Sequence, residues 1–283
     1  MPKIMYINGD YSSYENSKVH VNDRGYHFGD AVYEVVIFNN KIFYDFDGHI
    51  QRLFNSLKAL EIKFTFSSLS LKLIIKNLIR LNRANVGSVY IQVSRGVSER
   101  NHSYHGLNIK PILTIIVTKT LNIYNNVKGV KAITLNDNRW SRPDIKTTQL
   151  LPNVMAKTIA VREGAFESIF IDKDGYVTEG SSSNIWILNN KNELMTRNLD
   201  GKILSGITRN SISIFAKANK IKVVEKKFSR EELFDAKEVF LTSASSFVIP
   251  IIEIDDKRVN KGFVGNISLD LRKLYFDNFE THN

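Results

Sequence analysis

Short apolar runs near the N-terminus predict β-strands, and further along the chain the spacing of apolar residues changes to one that predicts helices. Strands are expected over residues 4–7, 19–21 and 31–38, with Asn8–Gly9 as a turn after the first and Asn39–Asn40 as a turn into a strand over 41–44. Apolar residues then recur at intervals of three and four, the spacing of one buried helix face. The first face comprises Ile50, Leu53, Phe54, Leu57 and Leu60, and a second helix over 69–81 would bury Leu71, Ile74, Ile75, Leu78 and Leu81.

The rest of the chain continues this mixture of strands and helices. Strands are predicted over 89–93, 112–117, 131–135 and 239–242, and 168–171 is predicted to pair with 184–188. Helices are predicted over 150–162, 207–218 and 267–279, and Ser229 with Glu232 forms a capping-box pattern for a short helix. The pattern predicts an α/β fold of the α+β type.

A polar, asparagine-rich stretch divides the pattern into two parts. Residues 121–129 show little periodicity and are the predicted interdomain linker. The sequence therefore predicts a smaller N-terminal α+β domain over 1–120 and a larger C-terminal domain over 130–283. A chain of 283 residues is long enough for two such domains.

Composition and charge narrow the class of protein. With 43% hydrophobic and 24% charged residues, the chain has a globular composition, and its lack of cysteine excludes a disulfide scaffold, a thiolate nucleophile and an iron–sulfur cluster. No apolar run reaches the roughly 18 residues that span a bilayer, and no signal-peptide pattern opens the sequence, so a cytoplasmic protein with no membrane partner is expected. The net charge of +10 comes from scattered residues, which favours small anionic ligands over nucleic acid.

Common catalytic motifs are missing from the sequence. It contains neither GxxxxGK[ST] nor GxGxxG, and no GxSxG nucleophile motif. His102 and His105 have a spacing that could bind a metal, but no nearby carboxylate cluster supports such a site, so no metal is expected.

Three loops rich in small polar residues indicate a phosphorylated ligand. The stretch 178–184 reads TEGSSSN and places Glu179 beside glycine and serine hydroxyls, either as a simple turn or as a loop that surrounds an anion, with Glu179 facing a cation. The stretch 205–209 reads SGITR and opens a predicted helix, where free N–H groups bind phosphate well. The stretch 242–246, TSASS, follows a strand. Together they favour a phosphorylated cofactor more than any one of them does.

Several ordered segments resemble the fold-type IV pyridoxal-phosphate enzymes. These are DRGYHFGDAVYE at 23–34, HIQRL at 49–53, DIK at 144–146 followed by LPNVMAK at 151–157, TEGSSSN at 178–184, and LSGIT at 204–208. The family includes aminotransferases for L-branched-chain and for D-amino acids, and lyases acting on aminodeoxychorismate. The resemblance implies a homodimer, two domains with the cofactor site between them, and pyridoxal 5′-phosphate as cofactor.

The resemblance also implies roles for individual residues. Lys146 would form the Schiff base with the cofactor and later act as the base at the substrate Cα, tasks that suit an amine whose pKa falls on burial. Glu179 would keep the pyridine nitrogen protonated, which makes the ring an electron sink. Arg52 would bind the cofactor phosphate as a bidentate donor. The remaining cofactor-binding residues would be Ser183, Asn184, Leu204, Ile207, Thr208, Ser243 and Ala244.

For the substrate, the segment that contains Arg100 and His102 resembles the members that act on D-amino acids. Tyr33, Arg100 and His102 would bind the α-carboxylate, with the loop of the last two reaching into the partner subunit's site. The implied reaction moves the amino group of D-alanine to 2-oxoglutarate, giving pyruvate and D-glutamate. The alternatives are an L-branched-chain aminotransferase, an aminodeoxychorismate lyase, or a non-catalytic basic binding protein. Ile37 and Ala244 depart from the family pattern, in which a lysine and a hydroxyl residue are expected.

Overall fold

The computed structural model describes residues 3–40, 42–120 and 128–280. The chain divides into two compact units. The first comprises the described residues of Met1–Asn125 together with Ile145–Gln149, and the second comprises those of Asn126–Asp144 and Leu150–Asn283. Most of the predicted linker, 121–127, lies outside the described residues. The division at 121–129 into domains 1–120 and 130–283 therefore stays a prediction.

The described part of the first unit is built on one antiparallel sheet. Its strands are β1 (Ile4–Ile7), β2 (Asp10–Ser13), β3 (Ala31–Asn39), β4 (Ile42–Phe43), β5 (Val86–Ser94) and β6 (Ile112–Lys119), in the order β2-β1-β6-β5-β3-β4. The helices are α1 (Arg24–Phe28), α2 (Phe46–Ala59) and α3 (Ser68–Leu81). Buried side chains alternate along β5, as expected for a sheet covered on one face.

Two expectations for this unit are wrong. Residues 19–21 form no strand, and Val19 and Val21 are 57% and 66% exposed. The chain turns instead at Asn8 and Gly9, both with positive φ, directly into β2, so Ile7 pairs with Asp10. Leu81 is exposed, although Leu71, Ile75 and Leu78 of α3 are buried as predicted.

The described part of the second unit is built on a mixed sheet. Its strands are β7 (Val130–Asn136), β8 (Glu167–Ile171), β9 (Val177–Gly180), β10 (Asn184–Leu188), β11 (Leu194–Thr196), β12 (Val223–Glu225), β13 (Glu238–Ser243), β14 (Phe247–Ile254) and β15 (Lys257–Arg258). The order is β12-β11-β10-β13-β14-β7-β8-β9, with β15 on β14. The helices are α4 (Leu151–Arg162), α5 (Ile207–Ala218), α6 (Arg230–Phe234) and α7 (Asn266–Glu280).

The expected pairing of 168–171 with 184–188 is wrong. β8 lies between β7 and β9, whereas β10 lies between β11 and β13. A turn from Asp172 to Gly175, where the glycine has a φ of 83°, returns the chain as β9 beside β8. Part of the stretch predicted as a loop, 178–180, is therefore strand. The capping box of Ser229 and Glu232 is confirmed at the start of α6.

Over the described ranges, no helix is both long enough and apolar enough to cross a membrane.

Candidate active site

Lys146 lies beside the start of β3 in the first unit. The main-chain N–H of Tyr33 donates to the Lys146 carbonyl at 3.1 Å, and Val32 forms a bridge with Thr147. The Lys146 Nζ atom is 3.4 Å from the Tyr33 hydroxyl and 4.5 Å from the centre of its ring. The structure thus brings together Tyr33 and Lys146, two of the predicted site residues. Among the described residues no carboxylate forms an ion pair with the Lys146 amine.

Glu34 of strand β3 holds the side chain of Arg52 in place. The Arg52 Nε and Nη2 atoms donate to the two Glu34 carboxylate oxygens at 2.7 and 2.8 Å, and His49 Nδ1 lies 2.7 Å from the same carboxylate. Burial favours a raised pKa for Glu34, but the charge and hydrogen bonds of Arg52 and His49 lower the pKa to about 2. Arg52 therefore presents its guanidinium in a fixed orientation, backed by a buried carboxylate.

Helix α2 connects Arg52 to the lysine segment. Ser56 lies one helical turn after Arg52 on the same face of α2, and its hydroxyl accepts the main-chain N–H of Lys146 at 3.3 Å. This hydrogen bond joins α2, the helix that carries Arg52, to the main chain of Lys146.

Arg100 and His102 are exposed on the loop after β5. Both pack on the ring of Phe28: the Arg100 guanidinium carbon lies 5.2 Å and the His102 ring 5.4 Å from its centre. Within the described ranges of this chain, neither side chain has a hydrogen bond, ion pair or ring contact with Tyr33. Ile37 is a buried residue of β3, 5% exposed, on the same strand face as Tyr33.

Glu179 is the centre of a buried polar network in the second unit. It is 6% exposed, and one carboxylate oxygen accepts hydrogen bonds from Asn184 Nδ2 and the Leu204 N–H, each at 3.0 Å. The other oxygen accepts from the Arg139 guanidinium. Arg139 also contacts Asp137 at 2.7 and 2.9 Å, and although burial favours a raised pKa for Asp137, the hydrogen bonds and charge of Arg139 lower it.

The serine-rich loop surrounds an anion that belongs to the protein itself. The hydroxyl of Ser183 donates to Glu167 at 2.9 Å, that of Ser182 donates at 3.2 Å, and Ser181 also contacts this carboxylate. Glu167 is 1% exposed. The expected anion-binding loop is thus present, but in this chain the described hydroxyls bind the buried Glu167, whereas the cation facing Glu179 is Arg139.

The N-terminus of α5 adjoins this network. A Cβ atom on Gly206, the residue before the helix, would lie 1.9 Å from Asn184 Oδ1, so only glycine allows this approach. In the described part of the chain no side chain caps the helix, and its first N–H groups have no partners within it. The Thr208 hydroxyl is buried without a hydrogen-bond partner among the described residues.

Ser243 and Ala244 lie at the end of β13, next to this region. Thr242 pairs with Asn184 across β10 and β13. The Ser243 hydroxyl accepts the main-chain N–H of Ser246 at 3.1 Å, and Ala244 is partly exposed. The second unit therefore brings together Glu179, Asn184, Leu204, the start of α5 and the end of β13, while Ser183 contacts Glu167.

The residues of the second unit fit a ligand that combines a phosphate with a cationic ring nitrogen. The start of α5, where the described residues supply neither a side-chain cap nor a partner for the Thr208 hydroxyl, suits a phosphate. The buried Glu179 carboxylate suits a protonated nitrogen. Pyridoxal 5′-phosphate carries both groups, and the donor set found here matches it.

Several residues of these networks were not predicted from the sequence. Glu34 was detectable, because a charged residue within the apolar stretch 31–38 requires a buried partner. Glu167 was detectable for a similar reason, because it is a charged residue at the start of a buried strand. Arg139 carried none, because its partner Glu179 lies 40 residues further along the chain.

Comparison with known proteins gives the class. The family "Amino-transferase class IV" matches residues 31–254. The chain belongs to this family, whose aminotransferases use pyridoxal phosphate.

Relatives and solved structures extend the likeness to almost the whole chain. A D-alanine aminotransferase of Bacillus licheniformis is 38% identical, covering 95% of this chain and 94% of that protein. Another of Staphylococcus aureus (strain COL) is 36% identical over 100% of both. A branched-chain amino acid aminotransferase of T.th. with pyridoxamine 5′-phosphate has a TM-score of 0.90 at 24% identity, covering 100% of this chain and 96% of that one. That of Escherichia coli has a TM-score of 0.89 at 24% identity, covering 99% and 95%. At this identity the structures show the fold alone, a mixed α and β fold of two sheets.

Proposed function

We propose that this protein is a D-amino acid transaminase that moves the amino group of D-alanine to 2-oxoglutarate, giving pyruvate and D-glutamate. The observation that carries the proposal is the 36–38% identity to D-alanine aminotransferases over essentially full length. The similarity to branched-chain aminotransferases is 24% in sequence and supports the shared fold.

Residues of the second unit would hold the cofactor. The N–H groups of Ile207 and Thr208, with Ser243 and the main chain of Ala244, would bind the phosphate, and Arg52 of the first unit would add a charge held in place by Glu34. Glu179 would face the pyridine nitrogen, with Asn184 and Leu204 keeping its carboxylate in place. Ser183 would act through the loop that binds Glu167.

Lys146 would hold the cofactor through its amine and move the Cα proton. When bound, the cofactor withdraws electrons from the Cα–H bond of the substrate. The 3.4 Å contact from Lys146 Nζ to the Tyr33 hydroxyl keeps the amine within reach of a group that can donate or accept a hydrogen bond. The Lys146 main chain is fixed by hydrogen bonds to Tyr33 and Ser56, so the amine moves only through rotation of its own side chain.

The substrate α-carboxylate would be bound by Tyr33, Arg100 and His102. Because Arg100 and His102 are exposed and make no polar side-chain contact with Tyr33 within the described chain, we propose that they serve the site of a partner subunit in a homodimer. A carboxylate held there presents the Cα–H of a D-amino acid to Lys146. We also propose that the protein works in the cytoplasm, which supplies both amino and 2-oxo acids.

A panel assay tests the proposal. Purified protein with pyridoxal phosphate is supplied with 2-oxoglutarate and with D- or L-alanine, D- or L-glutamate, or L-leucine, and the configuration of the glutamate formed is measured by chiral chromatography. The proposal predicts D-alanine as the better donor and D-glutamate as the product. A higher kcat/KM for L-leucine would establish the branched-chain alternative.

A further inference from the structure

The loop that carries Arg100 and His102 is held by a buried arginine of helix α1. Arg24 is 3% exposed, and its two terminal nitrogens donate to the carbonyls of Asn101 at 2.6 Å and His102 at 3.1 Å. Both carbonyls belong to the segment of the substrate-binding side chains. An arginine can contact two consecutive carbonyls at once because its donors form a rigid planar fork.

A carboxylate fixes Arg24 in turn. The Arg24 Nε atom donates to Asp30 at 2.9 Å, and Arg95 Nε donates to the same Asp30 oxygen at 2.7 Å. Arg95 anchors the start of the loop to the end of α2 through the Leu60 carbonyl at 2.6 Å. Its guanidinium also lies 3.7 Å from the ring centre of Tyr104, further along the loop. Asp30 thus joins two arginines that hold the loop at separate points.

The ring of Phe28 completes the support. It lies 4.8 Å from the Arg24 guanidinium carbon and also carries Arg100 and His102. Residues 99–108 are exposed, although Arg24 binds their main chain and these ring contacts hold two of their side chains. An exposed loop without such contacts would sample many conformations, and each would place the Arg100 charge differently.

From these contacts we infer that Arg24 is a positioning residue for substrate recognition: it acts through the main chain of Asn101 and His102 to set where Arg100 and His102 meet the substrate carboxylate. The inference rests on the proposed function for the nature of the ligand. It assigns no contact between Arg24 and the substrate or cofactor.

The test is Arg24→Lys, which keeps the charge and one donor for Asp30 but cannot contact both carbonyls. Arg80→Lys, an exposed arginine of α3, is the matched control. Arg24→Lys should raise the KM for D-alanine roughly three- to thirtyfold, with kcat within about twofold and the cofactor spectrum unchanged, since each lost hydrogen bond changes affinity by that order. In an Arg100→Ala background, the same change should alter KM by less than about twofold, because Arg24 is inferred to affect substrate binding mainly through the position of Arg100.

Hydrogen–deuterium exchange supplies a readout that needs no turnover. Arg24→Lys in the full-length protein should increase exchange in peptides covering 97–106 and leave those of α2 and α5 as in Arg80→Lys. Unchanged exchange, an additive KM effect in the Arg100→Ala background, or a joint loss of kcat and cofactor absorbance would overturn the inference. If Arg24→Lys does not fold, Arg24→Gln, which also cannot contact both carbonyls and Asp30 at once, takes its place with the same expected outcomes. Failure of the proposed function shows separately, as absence of D-alanine activity in the unaltered protein.

Discussion

The Arg139 guanidinium donates a hydrogen bond to Glu179, the carboxylate that would face the cofactor ring, and both side chains are almost fully buried. The pair is not isolated, because Arg139 also contacts Asp137, the Thr178 hydroxyl and the Lys202 carbonyl. A carboxylate that an arginine already contacts keeps its position before any ligand arrives. Glu179 is therefore held in position by residues of its own chain, without any ligand.

Loss of Arg139 should be strongly destabilising. Arg139→Leu would leave Glu179 and Asp137 as buried, uncompensated charges, which commonly costs about 3–5 kcal/mol of the free energy of unfolding. Urea denaturation without cofactor measures the effect. Arg142→Leu is the control, because Arg142 also pairs with an aspartate, Asp144, but is 54% exposed, so its loss should leave the free energy of unfolding nearly unchanged. Equal losses in the two variants would contradict the network.

Glu34 should make the protein sensitive to acid. The pKa of its carboxyl is about 2 in the folded chain against 4.5 in the unfolded reference, so its contribution is fully present above about pH 4.5 and is lost as the pH falls towards 2. The difference corresponds to roughly 3 kcal/mol at about 1.4 kcal/mol per unit.

The measurement is the free energy of unfolding against pH for the unaltered protein and Glu34→Gln. Between pH 5 and pH 2 the unaltered protein should lose roughly 3 kcal/mol more than the variant. Comparing the two curves removes the contribution of other carboxylates, such as Asp137, which titrate in both. Parallel curves would rule out the assigned role of the Arg52 and His49 contacts.

Much of the local structure could be predicted from the sequence, while most of the long-range pairing could not. Helix α5 spans the predicted 207–218, because its apolar period and small-residue start are local signals. The wrong pairing of 168–171 with 184–188 has the opposite cause, since sheet neighbours depend on tertiary packing that no local pattern encodes. The role of Arg139 could not be predicted for the same reason, because the residues near it in the sequence do not indicate that it will contact a carboxylate on β9.

Lys146 should be the lysine that carries the cofactor. Lys146→Ala should reduce transamination by at least roughly a hundredfold, the lower range for a lost proton-transfer group. Borohydride reduction of the unaltered protein, followed by peptide mapping, should place the pyridoxyl group on the peptide that contains residue 146. Lys76→Ala, an exposed lysine of α3, should behave as the unaltered protein. Labelling of any other lysine would refute the assignment.

Arg100 should determine how well the substrate carboxylate binds. Loss of a charge-assisted bidentate contact commonly costs about 1.5–3 kcal/mol, so Arg100→Ala should raise the KM for D-alanine and D-glutamate roughly ten- to a hundredfold. His102→Ala should have a smaller effect in the same direction. Steady-state kinetics give KM, and the cofactor spectrum is the control, since it should not change. A loss confined to kcat would exclude a role in carboxylate binding.

The handedness of the substrate is tested most directly by a single half-reaction without any 2-oxo acid. Protein loaded with pyridoxal phosphate is mixed with D-alanine or L-alanine, and the keto acid released within one turnover is quantified, with Lys146→Ala as the inactive control. We expect about one equivalent of pyruvate per chain from D-alanine and at least roughly a hundredfold slower release from L-alanine, a difference of about 2.7 kcal/mol in barrier. Faster release from L-alanine, or faster keto acid release from L-leucine than from D-alanine, would contradict it.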